Sequence, residues 1–339
     1  MTSLVLRAGR LSARVERRTV AASAALTAVA LALGMLGLCY GAAWATPGEV
    51  LAALVDHGGS AVVIREWRLP RVTAALVFGA ALGVAGAVFQ NLTRNPLGSP
   101  DIIGLDAGAY TGALLATVLL SGGAATLAAG SVAGGMLAAA AVYLLSWKSG
   151  VSGLRLIVIG IAMNAILTAL NSWIVLRSEL EIAMAMTGWS AGSLNGVDWA
   201  DLAPGLPVLA VLFLLMAVLS RAMHQSTLGD EFAASTGVRL NVLRPLAVLV
   251  GVGCTATVTA VAGPIVFVAL AAPQIGRRLA GAAGVPFVPA ALTGAVLLMA
   301  ADLAAQMLLA PVSLPVGVMT TAVGGAYFIW LLFKETKKS

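Results

Sequence analysis

The sequence predicts an all-α, polytopic membrane protein with about ten transmembrane helices, and three observations support this prediction. Hydrophobic residues make up 60% of the chain and charged residues only 10%, whereas about 25% of the residues of a soluble domain are charged. The mean hydropathy is +0.98. The charged residues lie between long apolar segments, most of them close to the ~20 residues that a membrane-spanning helix needs.

Ten apolar segments follow one another along the chain. They lie at 20–43, 71–90, 102–120, 124–146, 154–176, 205–221, 244–262, 264–280, 287–310 and 315–333. The first follows an arginine-rich stretch, as the apolar region of a signal peptide would, but that region has only about 7–15 residues. We therefore interpret the first segment as a retained helix.

The basic residues predict the orientation, because cytoplasmic loops of membrane proteins collect Lys and Arg. With the N-terminus inside, 16 of the 20 basic residues fall on the inner side. The outer four are Arg65, Arg68, Arg71 and Arg177. Both termini are then cytoplasmic, with an arm at 1–19, one transmembrane domain at 20–333 and a tail at 334–339. This orientation also explains the net charge of +6 without a nucleic-acid partner.

The sequence contains no convincing catalytic or metal site. The G-x-x-x-x-G-K-[ST] phosphate loop is absent, so the chain is not expected to hydrolyse ATP. His57 and His224 have no second ligand at metal-binding spacing. Cys39 and Cys254 lie in apolar segments and are interpreted as packing residues. A membrane-embedded enzyme is the least favoured class, because no nucleophile, base and metal converge.

One acidic residue, Asp302, interrupts an apolar segment. A charge at the centre of a membrane helix costs about 2.5–3.5 kcal/mol, and such residues often belong to coupled ion pathways. Two interpretations remain open: the coupling site of an ion-driven secondary transporter, and a polar contact at a helix end. The second is favoured, because a proton-driven carrier normally uses more than one buried titratable group.

The segment 65–71 is basic and lies at the predicted outer mouth of the second helix. Pro70 suits the first turn of a helix, where its missing N–H costs nothing. Arg68 and Arg71 are three residues apart and project to one side of that turn. Two guanidinium groups there suit carboxylates of a docking partner, and contact with lipid phosphates is an equal alternative.

Two inner segments are candidates for moving parts. In the turn at 90–101, Pro96 and Pro100 end the helix, and Leu97 between them either plugs a pore or is part of a simple loop. In the segment 228–238, Asp230 and Glu231 fit the first turn of a short helix. This helix is either a surface loop or an element that docks in a groove of another subunit.

The segment 263–278 contains proline and glycine at membrane depth. Pro264 and Pro273 are expected to break the helix there, which occurs where the backbone is buried in protein or lines a cavity. This pattern is typical of a transporter and not of a simple membrane anchor.

In their order and spacing, these segments resemble the FecCD family of ABC-importer permeases, over 20–333. The resemblance rests on five motifs: Arg68-Leu-Pro-Arg71, Asn95-Pro-Leu97, Leu228-Gly-Asp-Glu231 to Gly237, Ala301-Asp302 and Leu314-Pro-Val-Gly317. Longer stretches are similar to permeases for ferric enterobactin, which indicates a catecholate siderophore. They are Glu66-Trp-Arg-Leu-Pro-Arg71, Arg94-Asn-Pro-Leu-Gly-Ser-Pro-Asp101 and Ala191-Gly-Ser-Leu-Asn-Gly196.

The resemblance implies a vitamin-B12-permease-like, type II ABC-importer architecture in the bacterial inner membrane. The chain would be a transport subunit without its own ATPase site, importing ferric-siderophore complexes, with haem or vitamin B12 as alternative cargo. Its implied partners are a second permease subunit, an extracytoplasmic siderophore-binding protein and two ATPase subunits that hold ATP and Mg.

The resemblance also implies roles for particular residues. Arg68 and Arg71 would receive acidic residues of the binding protein. The cytoplasmic gate would include Asn95, Leu97, Ser152 and Gly153. The coupling helix that docks on the ATPase would include Gly229, Asp230, Glu231, Ala234 and Gly237. Asp302 and Gln306 are candidate polar residues of the outer mouth.

The sequence departs from the family pattern at two glutamines. Many members have histidine in place of Gln274, and some have arginine in place of Gln306. The missing outer charge at Gln306 predicts a heterodimer in which a homologous second permease supplies more of that charge.

Overall fold

α-Helices account for most of the chain that the computed structural model describes, which is residues 3–8, 11–55, 59–101, 104–120, 123–146, 153–282 and 284–336. In chain order the helices are α1 (Arg17–Cys39), α2 (Pro47–Val55), α3 (Gly59–Val62), α4 (Leu69–Thr93), α5 (Leu105–Leu120), α6 (Ala124–Ser146), α7 (Gly153–Arg177), α8 (Leu180–Ser190), α9 (Trp199–Leu202), α10 (Gly205–Ser226), α11 (Asp230–Ser235), α12 (Leu240–Ala262), α13 (Val268–Ala280), α14 (Phe287–Met307) and α15 (Val316–Thr336). A π-helical segment, Val63–Arg68, joins α3 to α4.

Each of the ten predicted spans coincides with one of the longer helices, namely α1, α4, α5, α6, α7, α10, α12, α13, α14 and α15. Within the described ranges, 7 helical stretches are long and apolar enough to cross a membrane by length and composition. By contrast, α13 has 13 residues, or ~20 Å at 1.5 Å per residue, which is shorter than the ~30 Å hydrocarbon core. The chain is a multi-pass membrane protein, as predicted.

The predicted arm at 1–19 contains a small β-hairpin, which is an exception to the all-helical prediction. Strands β1 (Ser3–Ala8) and β2 (Leu11–Glu16) pair antiparallel, with Ser3 opposite Glu16. The sequence of β2 alternates apolar and polar residues, which is the pattern of a half-exposed strand. The first helix then begins at Arg17, three residues before the predicted start.

Helix α4 lies at the centre of the bundle, packed against α12, α13 and α14. Three of its glycines permit very close helix packing, because a side chain at any of them would collide with backbone. Gly79 faces Gly294, Gly83 faces Ala290 and Gly86 faces Ala269. Small residues at helix contacts let backbones approach closely inside a membrane, where burial from water does not drive association.

Helix α7 is exposed along most of its length, and only 17% of its most apolar 18-residue stretch is buried. It packs mainly against α5 and α6. Its exposed apolar residues include Leu154, Val158, Ile161, Ile166 and Leu176. An apolar surface that runs along a whole helix requires cover by lipid or by another membrane subunit.

The break between α12 and α13 confirms one of the two predicted helix interruptions. Gly263 and Phe267 both have positive φ, at 70° and 69°. The N–H of Phe267 donates to Asp101 Oδ2 at 3.2 Å, which fixes the start of α13 against the turn after α4. The prediction for Pro273 is wrong, because this residue lies inside α13. It stands six residues into the helix, which continues through it without ending.

Candidate functional site

An open cavity of about 670 Å³ lies on the predicted outer side, between the end of α1, the π-helical segment and the loop before α9. Polar side chains in its wall are Tyr40, Glu66, Arg68, Arg71, Asp198 and Gln306. Both arginines predicted for docking therefore line the outer mouth.

Arg71 is engaged in an ion pair with Asp302, which joins α4 to α14. Arg71 Nη2 donates to Asp302 Oδ1 at 2.8 Å, and Arg71 Nε donates to Oδ2 at 3.0 Å. The two side chains are only 18% and 5% exposed. Gln306 Nε2 also donates to Asp302 Oδ2 at 2.8 Å. Asp302 is thus held in a charge-assisted polar contact near the end of α14.

Arg68 is engaged with the end of α1. Its Nη1 donates to the carbonyls of Leu38 at 2.9 Å and Cys39 at 3.0 Å, and its Nη2 donates to Ala43 O at 2.7 Å. A cation at a helix C-terminus satisfies free carbonyls and complements the helix dipole. Both guanidinium groups of the predicted docking pair are therefore bound within the chain. Their role toward a binding protein stays a prediction.

The hydrogen-bond network at the mouth extends to the loop before α15. Arg71 Nη2 lies 3.4 Å from Ser313 Oγ, and Ser313 Oγ donates to Asn195 Oδ1 at 2.9 Å. Ser193 N donates to Ala262 O at 2.7 Å, which fixes the loop before α9 to the end of α12. Sequence reasoning missed this network because its partners lie in different elements, far apart in the sequence.

The predicted cytoplasmic gate turn follows α4 directly. Asn95 Oδ1 accepts the N–H of Leu97 at 2.9 Å, and Asn95 O accepts the N–H of Gly98 at 3.0 Å. An asparagine that bonds the backbone two residues ahead stabilises a turn. Leu97 is 42% exposed on this turn. Of the second predicted gate loop, Ser152 lies outside the described residues and Gly153 begins α7.

The predicted short helix at 228–238 is confirmed as α11. Gly229, with φ of 125°, precedes it and Gly237, with φ of 85°, follows it. Ala233 is fully buried, while Glu231 and Ala234 are exposed and Phe232 is 49% exposed. The helix therefore rests on the bundle by one residue and presents most of its surface outward.

Asp230 at the start of α11 contacts two arginines from different parts of the bundle. It pairs with Arg94, just after α4, and its Oδ2 accepts from Arg244 Nη2 in α12 at 2.7 Å. Partial burial raises the pKa of Asp230, but the hydrogen bonds and charges of Arg244 and Arg94 outweigh this effect and hold it below its ordinary value. Sequence reasoning placed Asp230 correctly in the first turn but missed both partners.

Gln274 forms a buried amide pair between α13 and α4. Its Nε2 donates to Gln90 Oε1, and Gln90 Nε2 donates to Leu270 O at 3.0 Å. Gln274 therefore links the two helices directly.

The residues considered for metal and redox chemistry have ordinary surroundings. Cys39 and Cys254 are both buried, as expected of packing residues. Within the described residues, no group of three or more His, Cys, Asp or Glu side chains is placed to hold a metal. His57 lies outside the described residues, and His224 is in the last turn of α10.

Comparison with known proteins agrees with this architecture. The FecCD transport family model matches residues 26–334. The ferric enterobactin transport system permease protein FepG of Escherichia coli K12 is 44% identical over 326 residues, which cover 96% of this chain and 99% of FepG. The achromobactin transport system permease protein CbrC of Dickeya dadantii is 35% identical over 341 residues, which cover 98% and 97%.

A solved structure shows the same fold. An inward-facing ABC transporter, described as of the metal-chelate type, superposes with a TM-score of 0.82 at 27% identity, covering 92% of this chain and 98% of that one. The family match spans nearly the whole helical bundle, including the outer mouth, the gate turn and α11. The chain therefore belongs to the FecCD transport family.

Proposed function

We propose that this chain is the transmembrane permease subunit of an ATP-driven ABC importer that carries ferric-siderophore complexes of the catecholate type into the cytoplasm. The observation that carries this proposal is the 44% identity to FepG, across 96% of this chain and 99% of FepG. In this proposal the chain lies in the bacterial inner membrane with both termini in the cytoplasm, in agreement with the distribution of its basic residues.

Energy comes from outside the chain in this proposal. The sequence lacks a phosphate loop, so two separate ATPase subunits would bind ATP and Mg. Helix α11 would dock on one of them through its outward face, which carries Glu231, Phe232 and Ala234. A short helix with exposed apolar and acidic side chains suits a groove on a partner subunit.

A second permease subunit would cover α7 and complete the transport pathway. Support comes from the low coverage of α7 by the rest of the described chain, which buries only 17% of its most apolar stretch and leaves that side free for a partner or for lipid. Gln306 also supports a heterodimer, because this neutral residue leaves a homologous partner to supply further outer charge.

The binding protein would dock over the outer mouth. Because Arg68 and Arg71 are bound within the chain, we assign them the task of holding α1 and α14 in place around that mouth. The exposed carboxylates of Glu66 and of Asp198, which also caps α9, would then meet the binding protein directly. This assignment modifies the simple expectation that both arginines receive acidic residues.

Transport would proceed by alternating access between the mouth and the gate turn. Asn95 fixes the turn, and Leu97 projects from it as the apolar group that would close the pathway. The cargo is large and anionic, and a conduit must bind it weakly enough to release it. Few strong contacts with cargo are therefore expected.

The ion-coupled alternative assigns its coupling role to one acidic residue. Its candidate coupling residue, Asp302, is bound to Arg71 and Gln306. An importer of haem or vitamin B12 would belong to the same class, so uptake assays must distinguish these cargoes from a ferric siderophore.

The test is deletion of this chain followed by uptake assays with labelled ferric enterobactin, ferric citrate and vitamin B12. Accumulation of the catecholate complex should stop and should return when the chain is supplied from a plasmid. Unchanged catecholate uptake, or selective loss of vitamin B12 uptake, would refute the assigned cargo. Uptake that persists when the ATPase subunits are deleted would refute the energy source.

A further inference from the structure

Asp230 links the short helix α11 to the gate turn through Arg94. The Nη2 atom of Arg94 donates both to Asp230 Oδ1 and to the carbonyl of Ser226, the latter at 3.0 Å. Ser226 is the last residue of α10, immediately before the segment that leads to α11. The Arg94 side chain therefore spans from the end of α4 to both ends of the connection into α11.

Arg94 is also part of the backbone that forms the gate turn. It follows the last residue of α4 with φ of 51° and ψ of 32°, in the left-handed region. Residues other than glycine adopt this region infrequently, because their Cβ crowds the backbone there. The next residue, Asn95, closes the turn that presents Leu97. A displacement of the Arg94 side chain would therefore act directly beside the gate turn.

A second contact joins Asp230 to the core of the bundle. Arg244, which donates to Asp230 Oδ2 at 2.7 Å, lies in the second turn of α12. Helix α12 packs against α4, α6 and α10. One carboxylate thus holds together the gate turn, α11 and a central helix.

Helix α11 itself is otherwise loosely attached. It lies between Gly229 and Gly237, and neither glycine has another group near the position of a Cβ. Its buried anchor is Ala233. Since glycines permit backbone rotation that other residues resist, these two glycines are the pivots about which α11 would turn as a unit.

We propose that Asp230 is a positioning residue that transmits the movement of α11 to the gate turn through Arg94. This inference rests on the proposed function, because it assumes that an ATPase moves α11. The competing explanation is an ordinary surface ion pair, since the Arg94 and Asp230 side chains are 47% and 48% exposed. Exposed pairs generally contribute little to stability, so the experiment must measure coupling and not folding alone.

The first variant is Arg94→Gln, which cuts the link outside α11 and leaves the surface offered to the ATPase intact. Asp230→Asn cuts both links, and Asp230→Glu keeps the charge. Arg239→Gln is the matched control, because Arg239 is an exposed cation on the same side of the bundle with no ion pair among the described residues. Each is expressed in the full importer and reconstituted in proteoliposomes.

The measured quantity is the number of ferric enterobactin molecules imported per ATP hydrolysed. In Arg94→Gln and Asp230→Asn, the ATPase subunits should co-purify and hydrolyse ATP normally, while this ratio falls about tenfold. Asp230→Glu should restore most of the ratio, and Arg239→Gln should match the wild type. A wild-type ratio in Arg94→Gln would overturn the proposal.

A second measurement does not depend on the cargo. Spin labels at Leu97→Cys and Ser235→Cys report the distance between the gate turn and α11, with and without a trapped ATP analogue. The distance should stay constant in the otherwise unmodified importer and change on nucleotide binding in Arg94→Gln. An equal response in both would overturn the proposal. If instead the labels respond as expected but ferric enterobactin is not imported, the cargo assignment fails and the transmission role stands.

Discussion

Replacement of Asp302 by alanine should destabilise the bundle strongly, because it leaves the Arg71 guanidinium without its carboxylate. The structure shows three N–O contacts of 2.8, 3.0 and 3.2 Å between these side chains. Because the side chains of Arg71 and Asp302 are only 18% and 5% exposed, little water can solvate the arginine. Removing one partner of such a buried pair costs about 3–5 kcal/mol.

The same reasoning predicts that the double variant Arg71→Met, Asp302→Leu recovers most of this loss. Replacing a buried ion pair by apolar residues of similar size is often neutral or stabilising, because no charge remains to be desolvated. The two single variants and the double variant therefore form a thermodynamic cycle with a large coupling energy.

The assay is thermal unfolding of the purified chain in detergent, followed by size-exclusion chromatography of the protein that remains folded. Unfolding of large chains is often irreversible, so all variants must be heated on the same schedule. At roughly 2 °C per kcal/mol, Asp302→Ala should melt ~6–10 °C below the wild type. The double variant should melt much closer to the wild type.

Two results would refute this reasoning. One is an Asp302→Ala variant that melts with the wild type, and the other is a double variant as unstable as the single one. Transport by the stable double variant would in addition exclude Asp302 as an ion-coupling residue. A stable but inactive double variant, with normal ATPase assembly, would instead favour a direct role for the pair in transport.

Three further predictions follow from the helix packing, the gate turn and the α11 bridge. Gly86→Ala should cost about 1–3 kcal/mol, because the added methyl group collides with the backbone of α13; thermal unfolding checks this, with Gly48→Ala, which meets open space, as the control. Asn95→Ala should speed amide hydrogen exchange at Leu97, because that N–H loses its acceptor, whereas Asn95→Asp should preserve protection. Finally, because Asp230 has a lowered pKa, its ionic bridge should persist at neutral pH and be lost only below the ordinary aspartate range of about 3.9; spin-label distances that change near neutral pH would contradict this.

The long apolar segments made the main helices predictable, because a membrane span requires about 20 apolar residues and leaves a clear signal in the sequence. The shorter helices on the predicted outer side left no such signal. Helix α9 has only 4 residues and depends on a capping box between Asp198 and Asp201. The α2 helix (Pro47–Val55) likewise lies between spans and was not predicted.

The site was predictable in position but not in its contacts. Their spacing placed Arg68 and Arg71 on one side of a helix turn, and the distribution of basic residues placed that turn on the predicted outer side. Their partners, however, are backbone carbonyls of α1 and a carboxylate 231 residues away. Asp230 was likewise placed in a first turn, while its bridge to Arg94 and Arg244 depends on tertiary packing that no local pattern encodes.

The exposure of α7 bears on how a cell must produce this protein. If the proposed second permease covers this side of α7, its binding stabilises the chain by mass action. Its lifetime in the membrane should therefore rise with the amount of the second permease made beside it. Balanced synthesis of the two subunits would then protect this one from quality-control proteolysis, and overproduction of this chain alone would shorten its life.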